Sequence, residues 1–133
     1  MPFVLDASAA LEAAFDDESG AVGSAVAKRL SGDTAYVPSV WFNEVVHAML
    51  QAVRRGRLSL EDAHAVLAAL TDCRITAVPD QRETKALLDV AHRTGLSAYD
   101  ASYQLLAIDT GLELATCDRQ LRAAAERAGV PCF

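Results

Sequence analysis

The sequence is poor in the features that mark secreted, membrane and zinc-binding proteins. It has three cysteines in 133 residues, an odd number without paired spacing, which argues against a disulfide framework and against a zinc site. No apolar run approaches the roughly 20 residues that a membrane-spanning helix needs. The chain opens in a strand pattern without a basic segment or a cleavage site. We therefore expect no secretory signal and a cytoplasmic location.

Aromatic residues and lysines are also scarce. Aromatic residues make up 6% of the chain and hydrophobic residues 52%, which predicts an aliphatic core. The net charge of −6 is unusual for a nucleic-acid-binding protein, because such proteins usually present a basic surface. Two features weaken this objection. Bound cations would neutralise clustered acids, and ten of the twelve basic residues are arginines, which can bind a phosphate through two hydrogen bonds.

Short apolar strands alternate with helices along the whole chain. Strand patterns cover residues 3–5, 35–38, 75–78, 113–116 and 130–133, and helix patterns cover residues 7–14, 22–30, 39–55, 59–70, 81–93, 97–110 and 118–128. This alternation predicts a three-layer α/β/α sandwich, in which helices cover both faces of a short, mostly parallel central sheet. The length fits one domain over residues 1–133, without a repeat or a linker.

Four carboxylates and two hydroxyls fall where such a sheet would gather ligands. Ligands of open α/β sheets bind outside the carboxyl ends of the strands. Asp6 ends the first strand and Asp118 follows the fourth, while Asp100 and Glu44 lie in helices next to strands. The candidate site residues are Asp6, Ser8, Glu44, Asp100, Thr116 and Asp118.

Helix capping is a simpler explanation for three of these acids. Asp6 and Asp118 precede helices, where aspartate is a favoured N-cap. Ser97 and Asp100 have the spacing of a capping box. Taken one at a time, each of the three is better explained by capping than by catalysis. Glu44 has no such role, because it lies on the apolar side of its helix, where a carboxylate costs several kcal/mol unless it is paired or binds a metal.

The ordered set of motifs resembles the PIN domain, and most closely the VapC-type toxins of toxin–antitoxin systems. The motifs are Asp6-x-Ser8 after the first strand, Glu44 in a central helix, Asp100 within residues 96–103, and Thr116-x-Asp118 after the fourth strand. Each motif alone is weak, but their order along a chain of this length is specific. The one departure is Cys117 inside the last motif, a small residue that this position should tolerate.

The resemblance implies an endoribonuclease that hydrolyses RNA phosphodiester bonds with Mg²⁺ or Mn²⁺. It also implies that Asp6, Glu44, Asp100 and Asp118 bind the metal, with Ser8 and Thr116 as polar supports. A homodimer and a cognate antitoxin that blocks the site are implied in the same way. The chemistry suits a divalent cation, which lowers the pKa of a bound water, clamps the phosphate and holds the leaving oxygen.

Two other functions remain open from the sequence. One is a PIN-like domain that has lost catalysis and binds RNA or protein as an adaptor, although such a domain would have no reason to keep Glu44 on an apolar face. The other, a phosphatase or receiver domain, is disfavoured because neither Lys28 nor Lys85 follows a strand. Four arginines are either solvated surface residues or phosphate contacts, namely Arg54, Arg55, Arg57 and Arg119.

Overall fold

The computed structural model describes residues 1–15, 20–79 and 82–133, and in these ranges the chain forms four strands and seven helices. The strands are β1 (Phe3–Leu5), β2 (Ala35–Pro38), β3 (Ile75–Val78) and β4 (Leu114–Ala115). The helices are α1 (Ala7–Ala14), α2 (Ala21–Leu30), α3 (Val40–Arg54), α4 (Leu60–Thr71), α5 (Thr84–Thr94), α6 (Ala98–Thr110) and α7 (Arg119–Arg127). Within the described ranges, none of the helices combines the length and the apolar character needed to cross a membrane.

The four strands form one parallel sheet in the order β3-β2-β1-β4. In β1, Val4 lies between Tyr36 of β2 and Leu114 of β4. Successive crossovers run outward from β1 to β2 and β3, and the chain then returns to place β4 on the other side of β1. The chain leaves β1 toward one face of the sheet and enters β4 from the other, so the strand order reverses between these two neighbours. In open α/β sheets, a crevice forms at this point of reversal. The ends of β1 and β4 therefore border the crevice where the sequence places Asp6 and Asp118.

Helices cover both faces of the sheet. The helices α1 to α4 pack against one another, while α6 packs between α5 and α7 and lies over β1, β2 and β4. The connections between parallel strands are right-handed. The chain runs from β1 to β3 in one direction across the sheet and then back to β4 in the other. The helices α1 to α4 therefore cover one face of the sheet, and the helices around α6 cover the other. All three residues of β1 are buried, as expected for a strand covered from both sides. The predicted three-layer α/β/α sandwich is confirmed.

Two predicted elements differ from the structure. The strand expected at residues 130–133 is only a single parallel bridge between Cys132 and Leu114, because Pro131 has no N–H with which to extend the ladder. The helix expected from residue 81 starts at Thr84; residue 81 itself lies outside the described ranges. Arg82 forms an ion pair with Asp109 of α6 instead of joining α5.

The amino-terminal edge of the sheet is closed by Arg29 of α2. Its guanidinium carbon lies 4.8 Å from the ring centroid of Phe3 and 4.9 Å from that of Phe133. The same group donates hydrogen bonds to Glu113 at 3.0 Å and to the backbone carbonyl of Met1 at 2.8 Å. A cation between two aromatic faces is a stabilising arrangement. Contacts of the Arg29 side chain therefore stabilise this edge of the sheet. The candidate acids lie at the opposite, carboxyl-terminal edge.

Candidate active site

Asp6 is the most buried of the candidate acids, with 3% of its surface exposed. It occupies the N-cap position of α1, but its side chain makes no capping hydrogen bond. Its Oδ2 atom instead accepts hydrogen bonds from the hydroxyls of Ser8 and Thr116, both at 2.6 Å. Burial raises the pKa of Asp6, and these two hydrogen bonds oppose that rise. Asp6 thus has the predicted N-cap position, but its carboxylate is held mainly by the two hydroxyls.

The two hydroxyls connect the end of β1 to the end of β4. Ser8 Oγ accepts a hydrogen bond from the N–H of Cys117 at 3.0 Å, and Thr116 Oγ1 accepts one from the N–H of Asp118 at 3.0 Å. Each hydroxyl thus donates to Asp6 and accepts from the loop after β4. The Thr116–Asp6 bond joins residues that are 110 positions apart in the sequence. Such a network fixes the orientation of the Asp6 carboxylate.

Asp118 does cap a helix. Its Oδ1 atom accepts a hydrogen bond from the N–H of Leu121 at 2.9 Å, at the start of α7. The capping prediction is correct for Asp118. The capping hydrogen bond uses one of its two carboxylate oxygens. Oδ1 keeps a second lone pair after this bond, and Oδ2 makes no side-chain capping bond, so Oδ2 is the freer oxygen for a ligand. Its charge still acts at the site, because it raises the pKa of both Asp6 and Asp100.

Asp100 lies at the start of α6, on the same side of the sheet edge as Asp6. Its N–H donates to the Ser97 hydroxyl at 3.1 Å, which is half of the predicted capping box. Burial raises the pKa of Asp100, and the charges of Asp118 and Asp6 raise it further. The carboxylates of α6, β1 and the loop after β4 are therefore close enough to repel one another.

Glu44 completes the cluster from α3. Its Oε1 atom is buried and has no hydrogen-bond partner among the described residues. Burial, followed by the charges of Asp6 and Asp100, raises the pKa of Glu44 to about 7. A half-buried carboxylate that faces other acids and has no ion-pair partner is costly in the ionised form. A bound cation would remove that cost.

Tyr103 of α6 was not indicated by the sequence, yet it faces Glu44. The side chain is fully buried, and its hydroxyl has no partner in hydrogen-bond geometry within the described part of the chain. Burial raises the pKa of Tyr103 strongly, and the nearby charges of Glu44 and Asp6 add to the effect. The Tyr103 hydroxyl and the Glu44 carboxylate thus lie outside hydrogen-bond geometry, yet close enough for the hydroxyl to lower the pKa of Glu44. In the sequence, this tyrosine is indistinguishable from a core aromatic residue.

The orphaned hydroxyl of Tyr103 leads to a stability prediction. We expect Tyr103→Phe to leave the free energy of unfolding unchanged or to raise it by up to about 1 kcal/mol, because the variant loses a desolvated hydroxyl that is outside hydrogen-bond geometry. Urea unfolding of the metal-free protein measures this. A loss of more than about 1 kcal/mol would mean that the hydroxyl is hydrogen-bonded in the folded state.

Two further side chains support the loop after β4. Arg122 of α7 donates to the carbonyl oxygen of Thr116 at 2.6 Å and to that of Phe133 at 3.1 Å. Glu12 of α1 contacts Cys117, and burial together with this contact raises the pKa of the thiol to about 12. Neither was identified from the sequence. Arg122 resembles any helix-surface arginine, whereas Glu12, a lone acid in an alanine-rich helix, shows the pattern that singled out Glu44.

The acids fit a divalent cation in charge and in donor chemistry. Within residues 1–15, 20–79 and 82–133, no three histidine, cysteine, aspartate or glutamate side chains form a ready-made ligand set. Mg²⁺ does not require one, since it binds through one or two carboxylates and keeps several waters. The partnerless Oε1 of Glu44 and the oriented carboxylate of Asp6 match that sparse requirement.

The four candidate arginines are all exposed: Arg54, Arg55, Arg57 and Arg119. The first three follow one another at the end of α3, and Arg119 is next to Asp118 at the start of α7. None of them forms an ion pair with another described residue. Their guanidinium groups are therefore open to a phosphate.

Comparisons with known proteins give the family of the chain and several relatives. A family model of the PIN domain matches residues 3–127. Ribonuclease VapC12 of Mycobacterium tuberculosis is 34% identical over 118 residues, which cover 89% of this chain and 88% of that protein. Ribonuclease VapC9 of the same species is 30% identical over 118 residues, with coverages of 89% and 87%. The crystal structure of PAE2754 from Pyrobaculum aerophilum matches with a TM-score of 0.75 and 26% identity, over 99% of this chain and 83% of that one.

Proposed function

Because the chain belongs to the PIN-domain family and is of the VapC type, we propose that it is a metal-dependent endoribonuclease that acts as a toxin in the cytoplasm. The observation that carries the proposal is the group of Asp6, Glu44 and Asp100. Their pKa values are raised by burial and by neighbouring acids, and in the described ranges no basic side chain offsets this. Acids gathered in this way are typical of a site for a divalent cation.

Different residues of the chain would have different roles in phosphodiester hydrolysis. Asp6, Glu44 and Asp100 would hold the Mg²⁺ or Mn²⁺ ion, with the free oxygen of Asp118 beside them. When bound, the cation supplies an activated water and neutralises charge at the phosphate. Ser8 and Thr116 keep the Asp6 carboxylate in one orientation through their 2.6 Å hydrogen bonds.

The exposed arginines fit the binding step. Arg119 follows Asp118 directly in the sequence, so a phosphate bound there would lie beside the cluster. The arginines at the end of α3 are farther along the surface and would contact neighbouring phosphates of the RNA backbone. Such contacts are independent of base sequence and weaken as salt concentration rises. They would bring RNA of any sequence to the acids.

We also propose two protein partners, a second copy of the chain and a cognate antitoxin. The support is a set of apolar side chains that α3 and α4 leave exposed by 39–64%, namely Phe42, Val46, Leu50 and Leu60. Exposed apolar residues grouped on adjacent helices are typical of interaction surfaces. Light scattering of the purified protein measures the dimer, and a stable complex with a co-expressed small protein would identify the antitoxin.

Metal dependence is the direct test of the proposed reaction. We expect end-labelled RNA to be cleaved with Mg²⁺ or Mn²⁺, and EDTA to reduce the rate at least about 100-fold, because the acids alone cannot neutralise the phosphate. Excess Mn²⁺ added after EDTA serves as the control and should restore cleavage. Robust cleavage in EDTA would refute the metal mechanism. RNA binding without cleavage under any divalent metal would favour the adaptor function instead.

A further inference from the structure

We propose that Glu12 is a positioning residue for the acidic cluster and acts through Cys117. The inference deepens the proposed ribonuclease function and depends on it for its catalytic part. Glu12 lies in α1 (Ala7–Ala14), outside the set of residues that would touch metal or RNA. Its carboxylate contacts the loop after β4 from the side of α1 and α2.

One oxygen of Glu12 makes both of the contacts that matter. Its Oε2 atom accepts a hydrogen bond from the N–H of Gly23 at 2.6 Å and lies 3.2 Å from the Sγ atom of Cys117. Gly23 is in the first turn of α2, where backbone N–H groups lack partners within the helix and carry partial positive charge. The start of α2 therefore anchors the carboxylate, and the anchored carboxylate holds the thiol.

Two glycines make room for this arrangement. A Cβ atom at Gly23 would lie 2.8 Å from Glu12 Cγ, and a Cβ atom at Gly20 would lie 2.9 Å from Glu12 Oε1. Both distances are shorter than real contacts allow. The backbone of Gly20 is extended, with φ −78°, so glycine there provides space for the Glu12 carboxylate in this position and not conformational freedom. The absence of side chains at the start of α2 thus leaves space for the Glu12 side chain.

Cys117 lies between the two site residues of the loop, Thr116 and Asp118. Its backbone N–H is held by Ser8 Oγ at 3.0 Å, and its side chain is held by Glu12 on the other side of the peptide. A thiol is a weak donor, but a carboxylate acceptor strengthens the bond. With both contacts made, the peptide that carries Asp118 has one orientation. Without Glu12, the thiol of Cys117 loses its acceptor, and among the described residues the bond from the backbone N–H to Ser8 remains.

A double-mutant cycle tests whether Glu12 acts through Cys117. We expect Glu12→Ala and Cys117→Ala each to lower kcat for RNA cleavage about tenfold, the range found for groups that orient ligands. The double variant should be no slower than the slower single variant, while KM stays within about twofold. Cys117→Ser should retain most of kcat, because its hydroxyl can donate to Glu12. Glu126→Ala, an exposed acid on α7, is the control and should match the wild type.

The free energy of unfolding separates positioning from general stability. Glu12→Ala also removes the contact with Gly23, so it should destabilise the fold in both backgrounds, whereas its effect on kcat should vanish when Cys117 is alanine. If the losses in kcat multiply in the double variant, or if Cys117→Ala cleaves like the wild type, the proposal is wrong.

A second readout does not depend on cleavage. In a variant that keeps only Cys117, with Cys73→Ser and Cys132→Ser, removal of Glu12 should raise the rate of reaction with a thiol reagent about tenfold, because the thiol loses its acceptor and the negative charge beside it. An unchanged rate would show that the contact does not hold the thiol. Absence of cleavage by the wild type, by contrast, would count against the ribonuclease function alone.

Discussion

Replacement of Asp6 by asparagine is expected to slow RNA cleavage at least about 1000-fold and to leave the fold intact, because a lost metal ligand is worth several kcal/mol in the transition state. Asparagine has the same shape, and its carbonyl oxygen can still accept hydrogen bonds from Ser8 and Thr116. Only the charge is removed. Burial raises the pKa of Asp6, so its ionised form opposes folding at neutral pH, and the variant should be at least as stable as the wild type.

Opposite effects on activity and stability would separate a functional acid from a structural one. Asp89→Asn makes the same chemical change on the exposed surface of α5, and we expect its cleavage rate to stay within about twofold of the wild type. Single-turnover cleavage and urea unfolding measure the two quantities. Retention of more than about a tenth of the activity by Asp6→Asn would contradict its role as a metal ligand.

Stability of the metal-free protein is expected to fall as the pH rises from about 5 to about 8. The pKa of Glu44 is about 7 in the folded state, against 4.5 as its ordinary value. Between these values the folded protein keeps a proton that the unfolded chain has released, so each increase in pH favours unfolding. We expect a loss of about 1–2 kcal/mol over this range, since solvent screens a partly exposed carboxylate. Asp6 and Asp100, whose pKa values are also raised, act in the same direction.

Urea unfolding in EDTA at several pH values measures this dependence. Glu44→Gln should flatten it, because the variant has no proton to lose at this position. Glu126→Gln, on the exposed surface of α7, is the matched control and should keep the dependence of the wild type. Addition of Mg²⁺ at about pH 8 should stabilise the wild type more than Glu44→Gln, because a cation offsets the charge of Glu44. If Glu44→Gln and Glu126→Gln show the same pH dependence of stability, groups other than Glu44 cause that dependence.

Local sequence signals were sufficient for most of the fold. The strands at Phe3–Leu5, Ala35–Pro38 and Ile75–Val78 and the helix at Ala7–Ala14 have the predicted bounds, because polar or turn residues follow each apolar run. One of the two errors has a local cause, the missing N–H of Pro131, and the other lies beside a contact between distant residues. Arg82, which the pattern placed in α5, instead pairs with Asp109, 27 positions away, and no local pattern reveals that contact.

Local sequence patterns also predict only part of the candidate site. The positions of Asp6 and Asp118 follow from sheet topology, and Glu44 stands out as an acid on an apolar helix face. Tyr103 does not stand out, because what distinguishes it is an unmade hydrogen bond to a residue of another helix. Glu12 met the criterion applied to Glu44, but its partners Gly23 and Cys117 come together only in the folded chain.

The hydrogen bond from Thr116 to Asp6 has a consequence for protein synthesis. It joins the first strand to the last across 110 residues, so the nascent chain carries Asp6 and Glu44 long before Thr116 and Asp118 exist. Domains generally fold as units, and contacts this distant in sequence form late. A chain still being translated therefore lacks an assembled acidic cluster until both Thr116 and Asp118 have been added.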